Sequence, residues 1–162
     1  MAKTYSDSEI ALLMQERKPL PNDWRSHLQL RSKRGHRERD LELRGDKGNE
    51  FRLILRQNKI NPLDFSIILA VRVPGSNRLF RLRRYNGKSH EHTNHIEGET
   101  FYDFHIHMAT ERYQELGTRE DAYAERTDRF GDFHGALRCL IEDANLVVPP
   151  EAQGRPFEEV RQ

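Results

Sequence analysis

The chain has little cysteine, few apolar residues and no long apolar run. Cys139 is the single cysteine among 162 residues, which excludes an internal disulfide and a zinc site built from several cysteines. Hydrophobic residues make up 35% and charged residues 33%, so the chain can bury one modest core. No apolar run approaches the ~20 residues that span a bilayer, and residues 1–10 lack a basic-then-apolar leader. We expect a cytoplasmic protein without membrane contact, with one domain over residues 1–148 and an exposed tail over 149–162.

The net charge of +1 conceals an uneven distribution of charge along the chain. Residues 24–88 contain 17 Lys and Arg against 6 Asp and Glu, whereas residues 89–162 contain 7 against 16. Arginine supplies 21 of the 27 basic side chains, and its planar guanidinium suits phosphate. Two interpretations stay open: the basic part binds RNA or another polyanion, or the charges of the two parts pair within the fold.

Hydrophobic periodicity predicts an α+β fold. Ser6 and Glu9 have the spacing of a capping box for an N-terminal helix. Asp132 is placed to cap a C-terminal helix, and Thr118 or Asp121 to cap another helix before it. Between these helices, alternation with a period of two predicts an antiparallel meander sheet of five to six strands, with the helices packed on one face. The predicted strands lie near residues 27–31, 39–44, 51–56, 65–73, 78–85 and 101–108, and the most apolar run, 65–73, is expected at the centre.

A histidine cluster is the strongest chemical signal. Five of the eight histidines lie within residues 90–107: His90, His92, His95, His105 and His107. Alternation buries Tyr102, Phe104, Ile106 and Met108, and places His105 and His107 on the water-facing side of their strand. If the strand over 78–85 is a neighbour, Arg81, Arg83 and Tyr85 share that side. Imidazoles can act as acid and base near neutral pH, and guanidiniums can stabilise a phosphorane.

The first functional hypothesis is therefore a metal-independent endoribonuclease that acts on RNA. It would use His105, His107, His90, His92 and Tyr85 for catalysis, and Arg81, Arg83, Arg84, Arg52 and Arg56 for nucleic-acid binding. A second hypothesis is a non-catalytic phage or mobile-element protein that binds nucleic acid or inhibits another protein. The third is a metal-binding domain, because His90, His92 and Glu97 have spacing that could hold zinc, nickel or manganese. Self-association is left open.

Four short segments resemble an uncharacterised family of small prokaryotic proteins carried by phages and mobile elements. They are R-Y-x-G at 84–87, H-x-x-N within 90–95, H-x-H at 105–107 and Y-A-E-x-T at 123–127, and the resemblance covers residues 65–147. Arg84-Tyr85-Asn86 with His90-Glu91-His92 is also similar to the R-Y-D-N…H-x-H segment of TumE-type toxins, although the chain lacks the aspartate before the asparagine. This second resemblance implies a cytoplasmic toxin that a DNA-binding antitoxin protein holds inactive.

Overall fold

The computed structural model describes residues 3–117 and 119–150. Within these two ranges, helices α1 to α3 span Asp7–Gln15, Glu111–Leu116 and Phe133–Asp143. Strands β1 to β11 span Lys18–Pro19, Arg31–Ser32, His36–Arg44, Glu50–Asn58, Phe65–Arg72, Leu79–Asn86, His92–Asn94, Glu99–Phe101, His105–Met108, Ala124–Arg126 and Leu146–Val147. A 3₁₀ helix spans Ser26–Leu28.

One antiparallel sheet dominates the molecule, with its strands in the order β10-β9-β6-β5-β4-β3-β2. The predicted α+β class and the antiparallel meander are confirmed, because β3 to β6 pair in sequence order through short connections. The described sheet has seven strands where five to six were predicted. The strand predicted at 27–31 is wrong for most of its length, because Ser26–Leu28 form a 3₁₀ helix and only Arg31–Ser32 pair, as edge strand β2. Strand β10, which was not predicted, extends the opposite edge. The apolar run over 65–73 forms β5, the central strand, as expected.

The hydrophobic core lies against one face of this sheet. Leu41 of β3 and Leu53 of β4 are buried there, and their chain neighbours Glu42 and Arg52 lie on the opposite side, as alternation predicts. We call that opposite side the second face. Helices α1 and α3 contribute apolar side chains to the same core as the sheet: Ile10, Leu13, Met14, Phe133, Ala136, Leu137 and Leu140. The placement of the helices on one face is therefore confirmed.

The two outer helices begin at the predicted residues. The Ser6 side chain accepts the Glu9 backbone N–H at 3.0 Å, and the Glu9 carboxylate accepts the Ser6 N–H at 2.9 Å, which completes the capping box. Asp132 caps α3 by accepting the Gly135 N–H at 2.7 Å. The prediction of a helix that starts at residues 118–121 is wrong. The helix between α1 and α3 is α2, which ends before these residues, and residues 119–123 are irregular. Thr118 lies outside the described residues.

The single strand predicted over 101–108 is divided. Residues 99–101 form β8 and pair with β7 in a separate hairpin, whereas residues 105–108 form β9 in the main sheet. Tyr102, between them, is 51% exposed, so its predicted burial is wrong. Most of the predicted tail over 149–162 lies outside the described residues. None of the described helices combines the length and apolar character that crossing a membrane requires.

Candidate metal centre in a histidine groove

The neighbouring strands β6 and β9 bring the histidines beside the basic strand. Arg84 of β6 lies opposite His107 of β9, and Asn86 lies opposite His105. Side chains directly opposite each other in an antiparallel pair share a face of the sheet. The two histidines therefore lie on the second face, which is the face that sequence alternation predicted for them.

A β-bulge changes which residues of β6 accompany the histidines. Leu69 and Ala70 of β5 pair with Arg83 and Arg81, so Leu82 has no partner and the alternation shifts by one residue. Arg81 and Arg84 consequently lie on the second face.

The predicted placement of Arg83 and Tyr85 beside the histidines is wrong for this reason. Tyr85 is fully buried in the core, and its hydroxyl donates to Asp143 Oδ2 at 2.6 Å. Burial, followed by this hydrogen bond, raises the pKa of Tyr85 far above its ordinary value. Arg83 also points to α3, where its guanidinium lies 3.8 Å from Asp143. Neither side chain reaches the second face.

The prediction that His105 and His107 face water is also wrong, because the β7–β8 hairpin covers this end of the second face. Their exposed fractions are 0% and 4%. The ring of His92, on the hairpin, stacks on His105 with centroids 5.5 Å apart and contacts His107 edge-on at 4.9 Å. Phe101 from the second strand of the hairpin contacts His105 at 5.7 Å. The hairpin therefore encloses both histidines. The alternation pattern predicts only the face of the sheet on which they lie, so it does not reveal this cover.

Two arginines predicted to bind nucleic acid are engaged in cross-strand ion pairs. Arg52 lies 2.9 Å from Glu42, and the guanidinium of Arg56 lies 3.6 Å from Glu38. Both pairs are on the second face, in register between β3 and β4. For Arg52 and Arg56, the geometry therefore favours the interpretation in which charges pair within the fold.

Three imidazoles converge at the buried end of the second face. His92, His105 and His107 each offer one ring nitrogen, and these three atoms lie within 4.8 Å of one another. Among the described residues, this is the group of His, Cys, Asp or Glu side chains close enough to share a metal ion. Nitrogen ligands of a tetrahedral zinc ion, at 2.0–2.1 Å from the metal, lie about 3.3 Å apart. The three rings would have to approach one another to reach that spacing.

Hydrogen bonds fix which nitrogen of each ring carries its hydrogen. His105 Nδ1 lies 2.7 Å from the Asp103 carbonyl oxygen, and His107 Nδ1 lies 2.8 Å from that of Asp121. A carbonyl oxygen only accepts, so both rings hold hydrogen on Nδ1 and keep the lone pair on Nε2. This is the outer-shell arrangement that metal-binding histidines use.

His92 has the opposite tautomer. Asn94 Nδ2 donates to the Ala124 carbonyl at 2.7 Å, and Asn94 Oδ1 accepts the Ala124 N–H at 2.9 Å, which fixes the orientation of the amide. Asn94 Oδ1 also lies 2.7 Å from His92 Nε2. The Nε2–H of His92 therefore donates to this oxygen, and Nδ1 retains the lone pair.

Burial keeps the three imidazoles neutral. It lowers the pKa of His105 to about 4 and that of His107 to about 2, and Arg84 lowers the latter further. Burial also lowers the pKa of His92. Neutral imidazole is the form that binds metal ions, whereas a general acid near pH 7 must carry a proton.

The alternative metal set proposed from sequence spacing is not assembled. His92 belongs to the cluster, but the Glu97 carboxylate accepts a hydrogen bond from the Tyr113 hydroxyl at 2.7 Å and pairs with Arg112. His90 lies at the edge of the cluster, with its ring 6.4 Å from that of His105, and its Nδ1 contacts the Ser89 hydroxyl. Glu97 is therefore engaged with α2.

A groove opens beside the imidazoles. This histidine groove has a volume of about 510 Å³ and is lined by Ser66, Arg84, Asn86, His90, Glu91, His92, Thr93, His95, His107, Arg119 and Ala122. The carboxylate of Asp121 holds two arginines of the groove in place, because it is fully buried and lies 3.4 Å from the guanidiniums of both Arg84 and Arg119. The groove therefore joins neutral imidazoles to a wall that carries the guanidiniums of Arg84 and Arg119 and the carboxylate of Glu91.

Asn94 and Asp121 are the site residues that sequence reasoning missed. From the sequence, Asn94 has no predicted role beyond its place in a motif, and Asp121 is predicted to cap a helix. Their partners, Ala124 and His107, lie 30 and 14 positions away in the chain. Only the fold brings these pairs together, so no local pattern could have revealed them.

No protein family, curated protein or solved structure matches this chain. The resemblances to the mobile-element family and to TumE-type toxins therefore stay predictions.

Proposed function

We propose that this protein is a metal-dependent enzyme that holds one divalent transition metal ion, of the zinc class, through His92, His105 and His107. Three protein ligands with a further position open to a groove are typical of catalytic zinc, whereas structural zinc sites are closed by four. A metal ion there would activate water for hydrolysis of a ligand bound in the histidine groove. The protein would act in the cytoplasm, a location that the single cysteine supports.

The observation that carries the proposal is the tautomer of each ring. All three imidazoles turn one N–H to a fixed oxygen, on Asp103, Asp121 or Asn94, and all three keep the other nitrogen unprotonated. One ring nitrogen from each histidine lies within 4.8 Å of the others, and neutral imidazole nitrogens suit zinc-class ions. His105 Nε2 also lies 3.4 Å from Asn86 Nδ2, a contact that a bound metal ion would replace.

The metal-independent ribonuclease remains a hypothesis with less support from the geometry. His105 and His107 would have to exchange protons with RNA, but they are enclosed and their lowered pKa values keep them neutral near pH 7. The toxin role, an antitoxin partner and the non-catalytic binding role are untested hypotheses. Incubation with RNA in the presence of EDTA separates the first hypothesis from our proposal, since a metal-dependent enzyme stops under chelation.

Zinc binding tests the proposal directly. The protein, stripped with EDTA and dialysed, should bind one zinc ion per chain in a calorimetric titration. His92→Ala should weaken binding by more than the ~10–100-fold typical of an outer-shell change. His92 is half-buried on a hairpin outside the main sheet, so this variant should fold.

The matched control is His36→Ala. His36 is half-buried on β3, and its Nε2 bonds to Glu38 at 2.9 Å, away from the cluster. This variant should bind zinc like the unmodified protein. Absence of stoichiometric zinc binding, or equal loss in both variants, would overturn the metal centre.

A further inference from the structure

The positive charge of the histidine groove is concentrated around one carboxylate. Asp121 is fully buried, and the guanidinium nitrogens of Arg81, Arg84 and Arg119 lie 3.4–3.5 Å from its oxygens. Arg81 has a second partner in Glu120, at 3.3 Å. Three guanidiniums thus surround two carboxylates at the wall of the groove.

Arginines elsewhere on the second face also pair with carboxylates. Arg52 meets Glu42 at 2.9 Å, and Arg72 meets Glu50 at 3.2 Å. These pairs are cross-strand neighbours of opposite sign, so they present little net charge to a ligand. The arginines of the histidine groove differ in lying beside neutral imidazoles, so an anion in the groove can contact both kinds of group.

Arg84 is the guanidinium closest to the chemistry of the site. It is the cross-strand partner of His107, and its side chain is only 17% exposed. A divalent ion on the three neutral imidazoles would add two charges beside this guanidinium. An anion in the groove would relieve that repulsion.

We propose that the histidine groove binds a phosphoryl group, which bridges the metal ion and the guanidinium of Arg84. This inference rests on the proposed function. A phosphate monoester carries up to two negative charges, and its oxygens can bind a metal ion and a guanidinium fork at the same time. His90 and His95 line the groove and offer further nitrogen donors. The groove volume of about 510 Å³ leaves room for the organic part of the ester.

Binding of phenyl phosphate, a soluble monoester, tests the inference by calorimetry on zinc-loaded and EDTA-treated protein. Because metal and phosphoryl group would stabilise each other, zinc should tighten phenyl phosphate binding by at least about tenfold. Arg84→Met should remove most of this gain without weakening zinc binding. Arg84→Lys retains a positive charge beside Asp121, which protects the fold. Its affinity for phenyl phosphate should be intermediate, because lysine lacks the planar guanidinium fork.

Arg52→Met is the matched control, since Arg52 is an arginine of the same face outside the groove. It should bind phenyl phosphate like the unmodified protein. Adenosine monophosphate and a short single-stranded RNA, used in parallel, separate a terminal monoester from an internal diester as the source of the phosphoryl group. Tighter binding of either probe identifies that source.

The two proposals fail in different ways. If zinc binds but neither zinc nor Arg84→Met changes the affinity for any of the three probes, the phosphoryl inference is overturned and the metal centre stands. If zinc does not bind, the metal centre is overturned. In that case, phenyl phosphate binding that Arg84→Met abolishes would still support a phosphoryl site, and no binding would reject it.

Discussion

The side chain of Asn94 exchanges two hydrogen bonds with the backbone of Ala124, as if it were a neighbouring residue in the sheet. It donates to the carbonyl at 2.7 Å and accepts the N–H at 2.9 Å. The same amide oxygen accepts from His92. One fully buried side chain therefore fastens the β7–β8 hairpin to β10 and orients the third imidazole of the cluster.

Replacement of Asn94 should weaken metal binding although Asn94 is not a ligand. Asn94→Ala removes the acceptor that fixes the His92 tautomer, and we expect a loss of about 10–100-fold in zinc affinity by calorimetry. Asn94→Asp retains an acceptor for His92 but loses the donor to the Ala124 carbonyl, so it should bind zinc more tightly than Asn94→Ala. Zinc affinities equal to that of the unmodified protein in both variants would refute the positioning role.

Metal-free protein should lose stability as the pH falls below the ordinary histidine pKa of about 6.5. The folded-state pKa values of His105 and His107 are lowered, to about 4 and about 2, so the unfolded chain takes up these protons first. The free energy of unfolding should therefore fall by up to about 2.7 kcal/mol per pH unit between pH 6 and 5, where ordinary carboxyl groups are still ionised. Urea unfolding in EDTA at several pH values measures this slope. A flat profile across this window would contradict the burial of the two neutral imidazoles.

Tyr85→Phe should reduce stability and leave the metal centre unchanged. The variant loses the 2.6 Å hydrogen bond to Asp143, while Arg129 keeps its two bonds to that carboxylate. We expect a loss of about 1–2 kcal/mol in urea unfolding. Zinc affinity should not change, because Tyr85 lies on the core face of the sheet. Tyr102→Phe, at a half-exposed position, is the control and should leave stability unaffected. A weaker zinc affinity in Tyr85→Phe would contradict this prediction and show that Tyr85 contributes to the site.

Lys18 should be essential for stability although it is charged. Its Nζ is buried, and its three N–H groups are shared among four carbonyl oxygens, of Leu13, Met14, Glu16 and Ala144, at 2.7–3.1 Å. These carbonyls belong to the C-terminal ends of α1 and α3, which the ammonium joins. Lys18→Met keeps the aliphatic stem and leaves the carbonyls without their donor, for an expected loss of about 3 kcal/mol in urea unfolding. The exposed Lys59→Met is the control. Equal stability of the two variants would show that the network contributes little.

The helix caps and the central strands were predictable because their determinants are local. Ser6 and Glu9 satisfy each other within one helical turn, and the alternation of Phe51 and Leu53 with Arg52 is visible in the sequence of β4 itself. The face of the sheet on which His105 and His107 lie was predicted for the same reason. Tyr85 was misplaced because the bulge at Leu82 depends on pairing with β5, which alternation along one strand cannot show.

The sequence by itself determined a sheet with one apolar face, helices to cover that face, and a concentration of histidines near its end. These follow from hydrophobic burial and from backbone capping, which act over a few residues. Tertiary structure alone decided that three of the histidines gather with one ring nitrogen of each within 4.8 Å of the others. That outcome depends on hydrogen bonds that join Asp121 and Asn94 to residues 14 and 30 positions distant, and on a hairpin folded over the sheet. Such contacts arise only when distant segments are packed against each other, so they leave no periodic trace in the chain.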